Sequence, residues 1–340
     1  MTALPSNLLV VQLRQIGDVV LTTPIPHIVK AARPGCRVTF LTERPCDQLL
    51  QGNPHIDAVL LNDRKGSALD TLRLGWRLRR QGFDAVLDFM GNPRSALLTF
   101  LSGAPVRVSY PAPLRGLAYS HRIQPRHQYA VGFKKALLAP LGIGGEQDRP
   151  EIYLTAAERD AGQALRGELL AGGYRRLVTV DPSHRRDTRR WPAEHFGDLC
   201  RRLAAGLDAL PVVLWGPGEE ELAREVVGYS GAAARMAPAT RLREMAALLA
   251  AADLHLGNCS APRHMAVAVG TPTFTVLGST DANWTHPAPE HTEIALGLSC
   301  QPCSQNHCDR DFACLRELGP EQVYDRLQGW CGEVLGWTLP

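Results

Sequence analysis

The sequence predicts an α/β protein built from two doubly wound halves. Apolar runs of strand length alternate with amphipathic stretches of helix length, the signature of βαβ units around a parallel sheet. The alternation breaks at a glycine- and proline-rich stretch, Gly142 to Pro150, and then starts again. The chain's 340 residues also exceed what one hydrophobic core usually organises, and two domains of about 150 residues fit that length.

In the first half, Leu8–Leu13 is a mostly apolar run, interrupted only by Gln12, and reads as a buried strand, with a helix following over Val19–Ala32. Strands are predicted at Arg37–Leu41, Ala58–Leu61, Ala85–Phe89 and Val106–Ser109, with a helix at Gly66–Gln81. An irregular segment runs from Tyr110 to Gln128, ahead of a helix near Tyr129–Leu141. The second half places strands at Leu177–Val180, Pro211–Trp215, Leu254–Leu256 and Thr273–Leu277. Its helices are expected at Glu194–Leu203, Glu219–Val227 and Pro262–Val269, and a last one at Pro320–Leu335. The predicted domains are 1–150, 151–319 with a cysteine-rich tail, and a helix in 320–340 packing back on the first domain. A ligand cleft is expected between the halves, at the carboxyl ends of the strands.

Composition narrows the function. Hydrophobic residues make up 45% and charged residues 21%, as in a globular protein in water. A net charge of +3 gives no argument for nucleic acid. The longest apolar runs fall well short of the ~20 residues that span a bilayer, and no signal peptide is expected, since no basic region precedes the first apolar segment and that segment is too short. The expected compartment is the cytosol, where the nine cysteines would be mostly reduced.

The chemistry gathers at strand ends. Leu13-Arg-Gln-Ile-Gly-Asp-Val-Val-Leu-Thr-Thr-Pro24 puts a carboxylate, Asp18, where a nucleotide fold would normally cradle phosphate. In the second half, Asp181 to Trp191 carries four arginines, at 185, 186, 189 and 190. Trp215-Gly-Pro-Gly-Glu-Glu220 follows the next strand, and Gly257-Asn-Cys-Ser-Ala-Pro-Arg-His264 follows the third. Ser260 suits an N-cap and Pro262 a first helical turn, so free N–H groups are expected there. Helix-end N–H groups with arginine forks suit a pyrophosphate. The alternatives are an ordinary solvated basic loop, and an Asp18 that only caps the helix after it.

These motifs, taken with Asp88-Phe-Met-Gly-Asn-Pro-Arg-Ser95, Arg190-Trp-Pro-Ala-Glu-His-Phe196 and the tail C-x2-C-x4-C-x5-C, resemble in order glycosyltransferase family 9, the ADP-heptose:lipopolysaccharide heptosyltransferases. The opening L-R-x-x-G-D-V-x-L-T-T-P is most similar to the branch that adds a third, side-chain heptose to the inner core. The resemblance implies a GT-B fold with two Rossmann-like domains, the acceptor on the first and the nucleotide sugar on the second. It also implies inverting, metal-independent transfer of heptose from ADP-heptose to a phosphorylated inner-core sugar. Such an enzyme would work at the cytoplasmic face of the inner membrane, in peripheral contact with it.

On this reading Asp18 is the general base. Arg189, in place of the family's lysine two residues before the Trp-Pro pair, holds the leaving pyrophosphate, with His184 and Arg185 beside it. Glu219 or Glu220 reaches the ribose, and Cys259, Ser260, Ala261 and His264 form the last donor turn. Where the family reads D-S-G-P-x-H, this chain has Cys259 for the aspartate and Ala261 for the glycine. A thiol is a poor acceptor for sugar hydroxyls. A non-catalytic nucleotide-sugar-binding relative, or a nucleotide-sugar epimerase of the same fold, is the alternative those departures leave open.

Acceptor contacts are expected from Gly17, Arg94, Arg122 and Arg126. Between Asp88 and Glu146 there is no acidic residue but seven cations, with His121 and His127 among them. Such a block suits a phosphorylated, membrane-held saccharide, and a solvated basic face is the plainer account. Cys300, Cys303, Cys308 and Cys314 have spacings near those of small zinc sites, with His307 as a spare ligand. Catalysis on this reading needs no cofactor, so any zinc would be structural; disulfides are the rival reading.

Overall fold

A computed structural model describes residues 4–111, 113–126 and 128–338, so His127 lies outside the described residues. The chain divides into two compact units, Met1–Tyr153 and Leu154–Pro340. In the first, the elements run β1 (Asn7–Val11), α1 (Ile16–Val20), α2 (Pro24–Ala32), β2 (Arg37–Thr42), β3 (Ala58–Leu61) and α3 (Ala68–Arg80). They continue with β4 (Ala85–Asp88), α4 (Pro93–Leu101), β5 (Val106–Ser109), β6 (His121–Arg122) and α5 (Ala130–Lys135). The second unit holds α6 (Ala156–Leu170), β7 (Arg176–Asp181), α7 (Ala193–Leu207), β8 (Ala209–Val213), α8 (Glu220–Tyr229) and β9 (Arg235–Met236). It ends with α9 (Leu242–Ala251), β10 (Leu254–Asn258), α10 (Ala261–Val269), β11 (Thr273–Val276), β12 (His291–Ile294), α11 (Ala313–Arg316) and α12 (Pro320–Leu335).

Each unit is a six-stranded sheet whose described pairings are all parallel. The strand orders are β3-β2-β1-β4-β5-β6 and β12-β11-β10-β7-β8-β9. Counted from the first strand of each unit, both follow the doubly wound order 3-2-1-4-5-6. The order reverses between β1 and β4 and between β7 and β10, and ligands of such sheets bind outside the carboxyl ends at that point.

Alternation along β1 builds two cores. Leu8 and Val10 join Ile25, Val29, Phe40 and Leu137 on one face, while Leu9 and Val11 join Leu41, Leu78 and Leu98 on the other. Full burial of each such side chain stabilises by about 1.5–3 kcal/mol. In the second unit Val178 and Val180 pack with Phe196, Leu199, Leu203 and Phe274.

Three differences from the sequence expectations have physical causes. The single helix expected over Val19–Ala32 is two, α1 and α2. Pro24 has no N–H to donate into a continuing helix, so it opens α2 instead. Helices α4, α6 and α9 were not anticipated; the buried side of α9 is mostly alanine, which leaves little contrast for a periodicity to show. The last helix, expected to pack back on the first domain, buries Val323, Leu327, Trp330 and Cys331 in the second unit's core, against α7.

Candidate functional site at the two switch points

In the second unit the site is built around the ends of β7 and β10. β7 ends on Asp181, which is buried; its Oδ1 accepts from Ser183 N at 3.0 Å and Ser183 Oγ at 2.8 Å. Its Oδ2 accepts from Ser260 Oγ across the switch point. Burial pushes the Asp181 carboxyl up to about 6 despite these donors. β10 ends on Asn258, whose side chain accepts from Trp191 N at 3.0 Å and donates to Pro182 O at 2.9 Å. Residues 182–191 are therefore tied back on the sheet at both ends. Gly257 is required here, because a Cβ on it would stand 2.6 Å from Asp181 O.

The arginine-rich loop hangs from this frame. Its short 3₁₀ turn, Asp187–Arg189, is anchored by Ser279 N donating to Thr188 O at 2.9 Å, and by Thr188 Oγ1 donating to Gln305 O at 2.9 Å. Arg189 is half-buried, and its enclosed Nε has no hydrogen-bond partner. Burial and the neighbouring Arg186 charge hold the guanidinium below its ordinary value. An anion at this place would relieve both. Burial and Arg189 also push His184 down to about 4, so its ring is neutral at neutral pH. Arg185 lies on the exposed part of the same loop.

The turn after β10 departs from the simple cap expected from sequence. Ser260 does occupy the N-cap position of α10, but its hydroxyl is spent on Asp181 and makes no cap hydrogen bond. No side chain of that residue covers the helix's first N–H groups, which suits an anionic ligand. Ala261 is the first residue of α10, and His264 is buried with its ring 6.0 Å from Trp284. Arg263 does not reach outward: it is 1% exposed, donates from Nη1 to Cys259 Sγ at 3.3 Å and from Nη2 to Thr285 Oγ1. Of Glu219 and Glu220 after β8, Glu219 folds back to accept from Gly216 N at 2.9 Å and lies within electrostatic reach of Asp181. Glu220 instead pairs with Arg224 on α8.

In the first unit, Asp18 stands in the first turn of α1, beyond the carboxyl end of β1. Gln15, just ahead, holds the left-handed region at φ 67°, which costs a non-glycine residue energy and is characteristic of functional turns. Asp18 is not the N-cap of α1, since Gln15 holds that place. The Asp18 carboxylate faces Lys134 of α5, with Nζ 3.7 Å from Oδ1. Lys134 is 7% exposed at the side chain, donates to Gln12 Oε1 at 3.1 Å and lies 5.4 Å from the centre of the Phe89 ring. Burial holds its pKa down, while Asp18 pulls it up. Sequence reasoning placed Lys134 in a basic block but missed this pairing; the two residues are far apart in the chain, and only the fold of α5 brings them together.

The rest of the basic block is divided. Arg94 donates to the carbonyls of Arg64 at 2.8 Å and Asp63 at 3.3 Å, and Arg107 to those of Ala118 and Ala104. These cations fasten loops. Arg122 and Arg126 are exposed, and Gly17 is half-buried in α1. Asp88, fully buried at the end of β4, is raised by burial and accepts from Tyr119 Oη at 2.7 Å and from Met90 N at 2.9 Å. It organises the 88–95 turn from beneath. The four tail cysteines are half-buried free thiols; burial first, and then the nearby Cys308, Cys300 and Cys303, push Cys314 up to about 11. Among the described residues, the only set of three or more metal-ligating atoms within 4.8 Å of one another is His27, His55 and Glu151, not the cysteines.

The sequence model of the family described as Glycosyltransferase family 9 (heptosyltransferase) matches residues 71–312, more than half of the chain. Lipopolysaccharide heptosyltransferase 3 of Escherichia coli strain K12 is 27% identical over 92% of this chain and 94% of that protein. Among solved structures, the glycosyl transferase family 9 protein from Veillonella parvula DSM 2008 superposes with a TM-score of 0.83 at 21% identity, covering 96% of this chain and 98% of that one. The E. coli ADP-heptose lps heptosyltransferase II gives 0.77 at 18% identity, with 96% and 99% covered. These superpositions and the two parallel sheets make the architecture a GT-B fold. The chain belongs to glycosyltransferase family 9, the heptosyltransferases.

Proposed function

We propose that the protein moves a heptose from ADP-heptose to a sugar of the lipopolysaccharide inner core, with inversion and with no metal ion in the chemical step. The observation that carries this reading is the matched pair of switch points: a carboxylate beside a buried ammonium in the first unit, and a cation-rich loop with an uncapped helix end in the second. The names borne by the relatives above support the donor and acceptor classes.

The acceptor hydroxyl oxygen attacks the anomeric carbon as the carbon–oxygen bond to the β-phosphate breaks. Its proton passes to the Asp18 carboxylate, and ADP leaves with the bonding pair. Lys134 fixes the place of that carboxylate and offsets its charge. Arg189, helped by Arg185 and the first N–H groups of α10, takes the charge that grows on the pyrophosphate. Glu219 meets the ribose, while the neutral His184 ring and the turn Cys259-Ser260-Ala261 with His264 border the donor. Arg94 steadies its loop on the Arg64 and Asp63 carbonyls, while the exposed Arg122 and Arg126 receive the phosphorylated acceptor, which the enzyme meets at the cytoplasmic face of the inner membrane. Cys259 gives a specific reason for a second reading, a binding protein without transfer, because its thiol is engaged with Arg263 rather than free for a sugar.

The test is release of ADP from ADP-heptose with and without an inner-core saccharide. Acceptor-dependent release, falling about a hundredfold or more in Asp18→Asn at unchanged ADP affinity, is expected. ADP release equal in the presence and absence of acceptor would remove transfer as the function. Full turnover in the variant would leave Asp18 with a structural role.

A further inference from the structure

We propose a binding site for a divalent transition-metal ion of the zinc class, formed by His27, His55 and Glu151, at the place where the chain leaves the first unit. One ligand-capable atom from each residue lies within 4.8 Å of those of the other two. His27 is on α2, and its Nδ1 is 2.7 Å from Glu151 Oε1. His55 follows the turn in which its own N–H donates to Asn53 Oδ1 at 2.9 Å, and the two imidazoles are stacked with centroids 4.1 Å apart. Glu151 is held independently of the imidazoles, because its N–H donates to Thr23 Oγ1 at 2.8 Å and Gln147 Nε2 donates to its Oε1 at 3.1 Å. Three separate backbone segments, each fixed by its own hydrogen bonds, thus deliver two imidazoles and one carboxylate to one point.

The donor set suits the ion. Two nitrogens and one carboxylate oxygen match zinc and its borderline neighbours, and leave a further position open to water. Tetrahedral ligands about 2.1 Å from a metal stand about 3.4 Å from one another, so atoms already within 4.8 Å need adjust by at most about 1.4 Å. Parallel stacked rings do not aim their lone pairs at one point, and one ring must turn about its Cβ–Cγ bond. His55, half-buried and bonded here through its backbone, can do so. The nearby Lys30 is occupied with Asp57 at 2.7 Å. A bound ion would clamp α2, the turn at His55 and residues 147–151 together.

One thiol-rich region and one imidazole-bearing region lie in the same chain, so the test must tell them apart. The full-length protein, freed of metal by chelation, is titrated with Zn²⁺ by calorimetry and with Co²⁺ by absorption. The expected result is one ion per chain at this site, a Zn²⁺-dependent rise in unfolding temperature, and Co²⁺ bands without thiolate-to-metal charge transfer. This behaviour should persist in Cys300→Ser/Cys303→Ser. His55→Gln should weaken Zn²⁺ binding by about tenfold or more, and Glu151→Gln should do the same if His27→Gln proves unstable without metal. Zn²⁺ affinity unchanged in both His55→Gln and Glu151→Gln would overturn the proposal. So would binding lost in the cysteine variant alone, or no uptake at all.

Discussion

Arg263 is 1% exposed, yet neither of its hydrogen-bonded partners, the Cys259 thiol and the Thr285 hydroxyl, is a carboxylate, and its Nε has no partner. A guanidinium buried this way is costly unless an anion answers it. In Cys259→Asp the new carboxylate would meet Arg263 before it met a sugar. The variant should therefore raise the unfolding temperature by roughly 2–8 °C, for about 1–2 kcal/mol, as thermal denaturation would register. The ratio of ADP-heptose to ADP affinity should stay close to that of the parent. From sequence alone the same substitution is expected to improve the sugar contact; a lower unfolding temperature together with a selective gain in ADP-heptose affinity would restore that expectation. The departures at 259 and 261 were legible in the motif. The inward turn of Arg263 was not, because an arginine after the proline of a first helical turn reads locally as a cation facing a ligand. Lys134 was hidden for a similar reason: burial of a lysine beside a carboxylate is decided by packing, not by its neighbours in sequence.

The loop of residues 182–191 has no regular structure beyond one 3₁₀ turn, and its shape is imposed by the strand ends it crosses. Gly278 shows how tightly. A Cβ there would lie 2.4 Å from Thr188 O and 2.9 Å from both methyl carbons of Leu315. The leucine methyls can shift, but the carbonyl belongs to the backbone that carries Arg189. Gly278→Ala should thus destabilise the protein by about 1–3 kcal/mol and weaken ADP binding by about tenfold, since Thr188 must retreat and take Arg189 with it. Chemical unfolding and calorimetry with ADP measure the two effects. A loss of stability with ADP affinity intact would show that the loop does not set the position of the pyrophosphate ligand. Much of this level was readable beforehand. Ala58–Leu61, Val106–Ser109 and Pro320–Leu335 coincide with β3, β5 and α12, because apolar runs bounded by turn residues leave few other solutions. What could not be read was partnership. The apolar stripe of α12 announces a buried face, but nothing in its periodicity says which unit it is buried in. The alanine-rich α9 carries almost no periodic contrast to detect.

Two sheets of the same strand order put the candidate site of each unit at the same topological place, and in the second unit that place has a consequence for the stability of the whole chain. Asp181, buried beneath the switch point, is raised from its ordinary 3.8 to about 6. Between those values the folded protein holds a proton that the unfolded chain has released, so folding stability falls as pH rises through this window and is level above it. His184, pushed down to about 4 by burial and Arg189, acts in the opposite sense, as does His255, pushed down to about 3 by burial and by Arg263. For these histidines the unfolded chain holds the extra proton up to its ordinary 6.5, so their contribution grows as pH rises toward that value. From about pH 4 to 6 the one carboxyl therefore opposes the two imidazoles and blunts the rise in stability they would give the parent protein. Asp181→Asn removes the opposing member while keeping an oxygen to accept from Ser183 and an amide to donate to Ser260. Relative to the parent, the variant should gain about 1.4 kcal/mol per pH unit across that window, up to roughly 2–3 kcal/mol, and nothing more above about pH 6. Urea unfolding of both proteins from about pH 4.5 to 7.5 reads the difference directly. A stability difference that does not change with pH would mean that Asp181 is already ionised throughout, with Ser183 and Ser260 outweighing its burial.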